Sequence, residues 1–237
     1  MGSLDSLLVL QDIDTALDQL RHRHRTLPER AALEEARVAQ ASLDAAVEAA
    51  FARLHEVRSA QKAAEDEAAT VADKATEVER MLYGGTITAA KELEAYQADL
   101  AMLKQRQSNL EEDALERMEE AEPLEDELRR LRAEAEASAS AVAGADAALD
   151  AAMAEVDAEI TEVESRRPEA LEPLAPEVVE QYVMLRRSLG GVGAARLSGA
   201  RCEGCHLEIP SAELERLRRA PEDAVVNCPE CARILVR

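Results

Sequence analysis

One stripe of apolar residues, spaced by alternating threes and fours, runs through most of this chain, and a pair of glycines cuts it once. Leu10, Ile13, Leu17, Leu20, His24 and Leu27 begin the stripe, and Pro28 interrupts it. It resumes at Leu43 and steps through Val47, Ala50, Leu54, Val57, Gln61, Ala64, Ala68, Val71, Ala75 and Val78 to Leu82. A heptad seam held this long exceeds what a globular helix needs and predicts a coiled coil. The pattern stops at Tyr83-Gly84-Gly85-Thr86-Ile87-Thr88. The glycines free the backbone for a turn, and Thr86 or Thr88 is placed to cap a new helix. The seam restarts at Leu93, Tyr96, Leu100 and Leu103 and continues past Leu124, Leu128 and Leu131 to Val156 and Val163. Two arms of about 75–80 residues, each about 110–120 Å at 1.5 Å per residue, joined by a short turn, predict an antiparallel hairpin. Pro28 should break the first arm and Pro123 should bend the second.

Composition agrees with a two-helix seam and excludes a thick core. The 237 residues include 47 Ala but one Phe, three Tyr and no Trp. Large aromatics dominate ordinary cores, whereas Ala lets helices approach closely and buries little area. The net charge of −21 is unevenly spread. Residues 1–167 carry 19 basic and 38 acidic side chains, and residues 168–237 carry 9 and 11. The first part repels nucleic acid at range and the second does not. No apolar run reaches the length of a membrane span and no signal-peptide pattern opens the chain, so the expected compartment is the cytoplasm, with no membrane partner.

Three regions follow. Residues 1–167 form the hairpin, with its tip at about 83–88. Residues 168–193, bounded by Pro168, Pro173, Pro176 and by Gly190, Gly191, Gly193, form a linker with a short helix from Glu177 to Ser188. Residues 194–237 hold all four cysteines. The fold class is mainly α, with a small β-rich module at its C-terminal end.

Cys202-Glu203-Gly204-Cys205 and Cys228-Pro229-Glu230-Cys231 are two C-x-x-C knuckles. In a reducing compartment such pairs read as metal ligands, and four thiolates close a tetrahedral Zn²⁺ site with no open position. One structural Zn²⁺ is therefore expected on Cys202, Cys205, Cys228 and Cys231. His206, next to Cys205, is a competing ligand only by proximity. The flanks suit a zinc ribbon: a strand from Ala194 to Arg201, a helix from Ala212 to Arg219 capped by Ser211, and strand residues at Val225-Val226 and Ile234-Leu235-Val236. So small a module needs its metal to fold.

Arginines cluster around this module: Arg186, Arg187, Arg196, Arg201, Arg216, Arg218, Arg219 and Arg233, with Arg237 at the end. Guanidinium forks suit phosphate, so the first eight are the candidate nucleic-acid contacts. Their acidic neighbours, among them Glu203, Glu213, Glu215, Glu222 and Asp223, nearly cancel them. A second basic run, Arg21, Arg23, Arg25 and Arg30, would lie beside the end of the second arm. Ser59-Ala60-Gln61-Lys62 fits S-x-x-K but sits inside the heptad arm without its companion motifs. The glycine stretches lack the lysine of a P-loop. No residues here assemble a catalytic constellation, and an enzyme is not expected.

The tip Leu82-Tyr83-Gly84-Gly85-Thr86-Ile87-Thr88 with Lys91-Glu92-Leu93, then Gln107-Ser108-Asn109-Leu110-Glu111 and Met118-Glu119, and the tail Cys202-x-x-Cys205, Cys228-Pro229-x-Cys231 and Arg233-Ile234-Leu235-Val236, resemble the bacterial coiled-coil hairpin family with a C-terminal C4-type zinc ribbon. That family, long a domain of unknown function, includes a flagellar regulator of Helicobacter and a chlamydial relative linked to type III secretion. Ala232 follows the last cysteine where glycine is expected. The resemblance implies a non-enzymatic adaptor, with protein partners along the coiled coil and RNA as a candidate ligand of the ribbon. The residues leave two readings: a ribbon that docks nucleic acid or protein, and a structural, assembly or chaperone-like factor without nucleic-acid binding.

Overall fold

A computed structural model describes residues 4–85, 87, 89–221 and 224–237. The expected caps Thr86 and Thr88, and the acidic neighbours Glu222 and Asp223, lie outside the described residues. Helix α1 spans Asp5–Arg25, α2 Pro28–Tyr83 and α3 Ala90–Ser165. Pro28 ends the first stripe as its chemistry requires: it opens α2, where a missing N–H costs nothing. Pro123, by contrast, is carried inside α3, whose helical assignment continues through it. Short α4 (Arg167–Leu171) and α5 (Pro176–Ser188) follow, each with proline in its first turn. Strands β1 (Ala194–Ser198) and β2 (Arg201–Cys202), helix α6 (Ser211–Arg219) and strands β3 (Val226–Asn227) and β4 (Ile234–Val236) complete the chain.

The chain divides into two compact units, Leu33–Ala145 and Met1–Ala32 with Asp146–Arg237. In the first, α2 and α3 pair antiparallel. Ala50 packs with Leu128 and Leu131, Val57 with Ala121 and Leu124, and Ala75 and Leu82 with Leu100. The partner number falls as the α2 number rises, which is the signature of a hairpin. The buried α2 positions Ala50, Val57, Ala64, Ala68, Val71, Ala75 and Leu82 are those of the heptad stripe, and Leu33, in the gap that the stripe leaves after Pro28, is buried as well. Cross-arm ion pairs Arg58–Glu125, Arg106–Glu67 and Lys104–Glu79 line the exposed flanks, where such pairs contribute at most about 1 kcal/mol each.

The second unit is built around α1. Leu7, Leu10, Ile13 and Leu17 on one face of α1 pack with Ala170, Leu174, Tyr182, Ala194 and Ile234. Residues 168–193 thus contribute buried side chains to a core; they are more than a connection. The basic run on α1 sits beside the end of α3, as an antiparallel arrangement demands: Arg21 pairs with Glu164 at 2.7 Å, Arg23 with Glu159, and His24 Nε2 lies 3.5 Å from Asp157.

The ribbon sheet has the order β2-β1-β4-β3, with β1 and β4 parallel and the outer pairs antiparallel. The expected single strand from Ala194 to Arg201 is a hairpin instead. Gly199 at φ 63° makes the turn that folds Arg201 back beside Ser198. Alternation along β1 and β4 sends Ala194 and Ile234 into the α1 core, and Ala195 and Leu235 toward the cysteines. Ser211 does not act as the helix cap. It is the first helical residue of α6, Pro210 takes the cap position, and no side chain closes that end.

The alanine seam sets a test. Ala121 is fully buried against Val57, so Ala121→Leu forces extra carbons into a closed gap. Overpacking of this kind costs about 1–3 kcal/mol. Chemical denaturation followed by far-ultraviolet circular dichroism should show that loss, whereas the same change at exposed Ala101 should leave the midpoint within experimental scatter.

Candidate metal centre

The two C-x-x-C segments fold into matching knuckles. In the first, Cys202 N–H donates to Leu207 C=O at 3.1 Å and His206 N–H donates to Cys202 C=O at 2.8 Å. In the second, Cys228 N–H donates to Arg233 C=O at 2.9 Å and Ala232 N–H donates to Cys228 C=O at 2.9 Å. The residue after each second cysteine turns into the left-handed region, His206 at φ 61° and Ala232 at φ 65°. That geometry explains why glycine suits the position Ala232 occupies. His206 uses the same turn, is exposed, and accepts a 3.0 Å hydrogen bond from Arg201 Nε at its carbonyl. It stands outside the ligand group.

The knuckles bring the four sulfurs together. Every pair of Sγ atoms among Cys202, Cys205, Cys228 and Cys231 lies within 4.8 Å. Cys202–Cys231 and Cys205–Cys228 are both 3.9 Å apart. Four thiolates at a Zn–S distance of about 2.3 Å form a tetrahedron with edges of about 3.8 Å. A disulfide would bring two sulfurs to about 2.05 Å. The donor set and its spacing fit Zn²⁺ held as a closed structural site. Cys202 and Cys228 are buried and the other two are half-buried. As free thiols, burial holds Cys202 above the usual range and pushes Cys228 up to about 12. Cys231 is raised by burial too, but hydrogen bonds involving Arg233 and the neighbouring thiols outweigh this and bring it to about 7. Ligation needs thiolates, so the metal's charge must offset the desolvation of the two inner sulfurs.

Ala195, Ile209, Leu214, Leu217 and Leu235 pack around the cysteines. Gly204 lets the first knuckle approach: a Cβ there would lie 2.6 Å from Arg233 Cδ and 2.8 Å from Ala195 Cβ. Arg233 passes over that glycine and donates to Val192 C=O at 3.0 Å and Leu189 C=O at 3.3 Å.

The other arginines have varied surroundings. Arg186 donates to the Asp14 carbonyl at 2.7 Å and pairs with Asp18. Arg201 donates to His206 C=O and Arg218 to Gly199 C=O. Arg216 and Arg219 pair with Glu213 and Glu215 on their own helix. Arg196 lies 4.0 Å from Asp5. Arg187 is exposed and has no hydrogen bond or ion pair among the described residues. Arg237 donates to the carbonyls of Leu217, Ala220, Pro221 and Ala224.

Two polar residues that the heptad stripe conceals tie this centre to α1. Gln11 is buried; its Oε1 accepts from Gly193 N–H at 2.7 Å, and its Nε2 donates to Gly191 C=O at 3.0 Å. Asp14 is buried and accepts from Arg167 Nε and from the Tyr182 hydroxyl, both at 2.9 Å. Burial, reinforced by Asp14, holds the Tyr182 phenol far above its usual range. No local signal in the sequence marks them, because their partners lie 153–182 residues away.

Comparison with known proteins agrees with this geometry. The family model for the CT398-like coiled coil hairpin domain matches residues 10–190, and that for the C4-type zinc ribbon domain matches residues 201–235. An uncharacterized protein of Mycobacterium tuberculosis is 34% identical over 232 residues, 98% of this chain and 94% of the relative. One from Mycobacterium leprae is 28% identical over 225 residues, 95% of this chain and 96% of the relative. A solved structure from Mycobacterium smegmatis has a TM-score of 0.84 at 31% identity, covering 99% of this chain and 97% of the other. The structure of CT398 from Chlamydia trachomatis shares the fold, with a TM-score of 0.73 at 18% identity over 99% and 97% of the two chains. The four cysteines hold one structural zinc.

Three measurements follow. Metal analysis should give about one zinc per chain, falling to near zero in Cys228→Ser because a closed site needs all four ligands. Because Ile234 on β4 belongs to the α1 core, that substitution should also strip hydrogen-exchange protection from α1, while amides in the Leu33–Ala145 pair stay protected. Ala232→Gly should raise the ribbon's unfolding midpoint, since relief of a left-handed alanine is worth about 1 kcal/mol.

Proposed function

The chain belongs to the CT398-like coiled coil hairpin family, and on that premise we propose that it is a non-enzymatic cytoplasmic adaptor whose arms and zinc ribbon dock other proteins. The coiled coil and the ribbon are both interaction modules. The arms expose Phe51, Leu115 and Met118, apolar side chains that a partner can cover. No helix among the described residues is long and apolar enough to cross a membrane.

The observation that carries protein docking at the ribbon is how its arginines are used. Arg186 and Arg233 are spent on internal carbonyls and carboxylates, and most of the rest have partners within the chain. Nucleic-acid affinity scales with the number of cations free to replace counterions along phosphates, and few are free here. A second reading has support at α6. Arg216 and Arg219 have side chains 74% and 82% exposed, and their pairs with Glu213 and Glu215 are the weak surface kind that a phosphate can displace.

Crosslinking and capture from the native host's lysate, with and without ribonuclease, separates the two. Protein capture should survive ribonuclease and should be unchanged in the double variant Arg218→Ala, Arg219→Ala. Capture lost to ribonuclease, or binding of RNA that weakens steeply with salt and with that double variant, would transfer the ribbon to the second reading.

A further inference from the structure

The unit that carries the ribbon also holds a cleft of about 480 Å³ between α1, the end of α3, α4 and α5, on which the adaptor reading does not draw. We propose that this cleft is a binding site for a small phosphomonoester with an apolar body.

Its charge is unusual for this chain. Arg21, Arg167, Arg186 and Arg187 line it against two carboxylates, Asp14 and Glu164. A third carboxylate, Asp18, is tied to Arg186 at the edge. One positive charge is left over in a protein of net charge −21. The donors are in larger surplus than the charge. Each guanidinium carries five N–H groups. Arg167 is bonded through Nε to Asp14, and Arg21 through one Nη to Glu164. Arg186 Nε is buried, makes no hydrogen bond and lies 3.9 Å from the Asp14 carboxylate, whereas Arg187 has no partner among the described residues. The N–H groups of Arg21, Arg167 and Arg187 that make no bond within the chain are left for an entering acceptor.

The shape narrows the ligand. Guanidiniums arriving from α1, α4 and α5 suit a phosphate monoester, which offers about two negative charges and three terminal oxygens, better than a single carboxylate. Leu17, Leu171 and Val183 supply an apolar wall beside them. A cleft of this volume is in the range for small organic ligands, so the phosphate should carry a body that covers the wall.

The test is calorimetric titration of the zinc-loaded full chain with phenyl phosphate at low salt, alongside inorganic phosphate and phenol. Phenyl phosphate should bind saturably at one site. Inorganic phosphate should bind about tenfold more weakly and phenol not at all, the tenfold factor being one lost contact of about 1.4 kcal/mol. Arg187→Ala removes an exposed side chain that holds nothing in the fold, and should weaken phenyl phosphate about tenfold or more. Arg130→Ala, on the Leu33–Ala145 pair, should leave the affinity unchanged. Absence of saturable phenyl phosphate binding would overturn the proposal, as would equal affinity for inorganic phosphate, or affinity untouched by both Arg187→Ala and Arg21→Ala. None of these results bears on whether the ribbon captures a protein, so the two readings stand or fall separately.

Discussion

The small sheet of the ribbon has both faces covered, and the rest of its unit depends on that arrangement. Alternation along β1 and β4 puts Ala195 and Leu235 on the zinc side and Ala194 and Ile234 on the α1 side. A four-stranded sheet with strands of two to five residues has little stability of its own. It is held from one side by four thiolates around a metal and from the other by a helix near the chain's beginning. The metal therefore fixes more than the knuckles: it fixes the surface on which Leu7, Leu10, Ile13 and Leu17 pack.

That docking would be a nonspecific apolar contact without the polar groups at its centre. Asp14 is a buried carboxylate and is costly to desolvate unless its lone pairs are filled. Arg167 from α4 and Tyr182 from α5 fill them, and Arg186 takes the adjacent carbonyl. Gln11 one turn earlier does the same for the backbone that leads into β1. Gly193 makes room for this closeness, since a Cβ there would lie 2.7 Å from the Tyr182 carbonyl. These hydrogen bonds set the register of α1 against the other elements, because a shift by one residue would leave a buried charge without a partner.

The hairpin could be read from the chain because its signal is periodic and local: each seam residue predicts the next, and the burial of Ala64, Ala68, Val71 and Ala75 follows the count. The metal centre could be read because ligand chemistry is confined to few residue types at fixed spacing. The packing of α1 was legible only as a stripe without a stated partner. Gln11 and Asp14 fall beside Leu10 and Ile13, where polar residues usually face water, and nothing local marks them as buried. The capping role of Ser211 failed for a related reason. Pro210 already sets the extended backbone before α6, so the helix starts one residue earlier than the side-chain chemistry suggests. Arg187 and Arg233, alike in sequence, differ entirely in use, one free among the described residues and one stretched across Gly204 to two carbonyls.

That last contrast bears on how charge is read for such a protein. The balance of 9 basic to 11 acidic residues in 168–237 describes a composition, and composition is not a surface potential. Arg237 gives its donors to four backbone carbonyls, Arg233 to two and Arg218 to one. Each keeps its charge, but every N–H given to a carbonyl is one fewer for the bidentate grip on phosphate that makes arginine effective. What decides an anion's resting place is the number of unused N–H groups that point to one spot. By that measure the ribbon, for all its arginines, is to be weighed against the cleft beside Asp14, which four guanidiniums from three helices line and where Arg187 keeps all its N–H groups unused among the described residues.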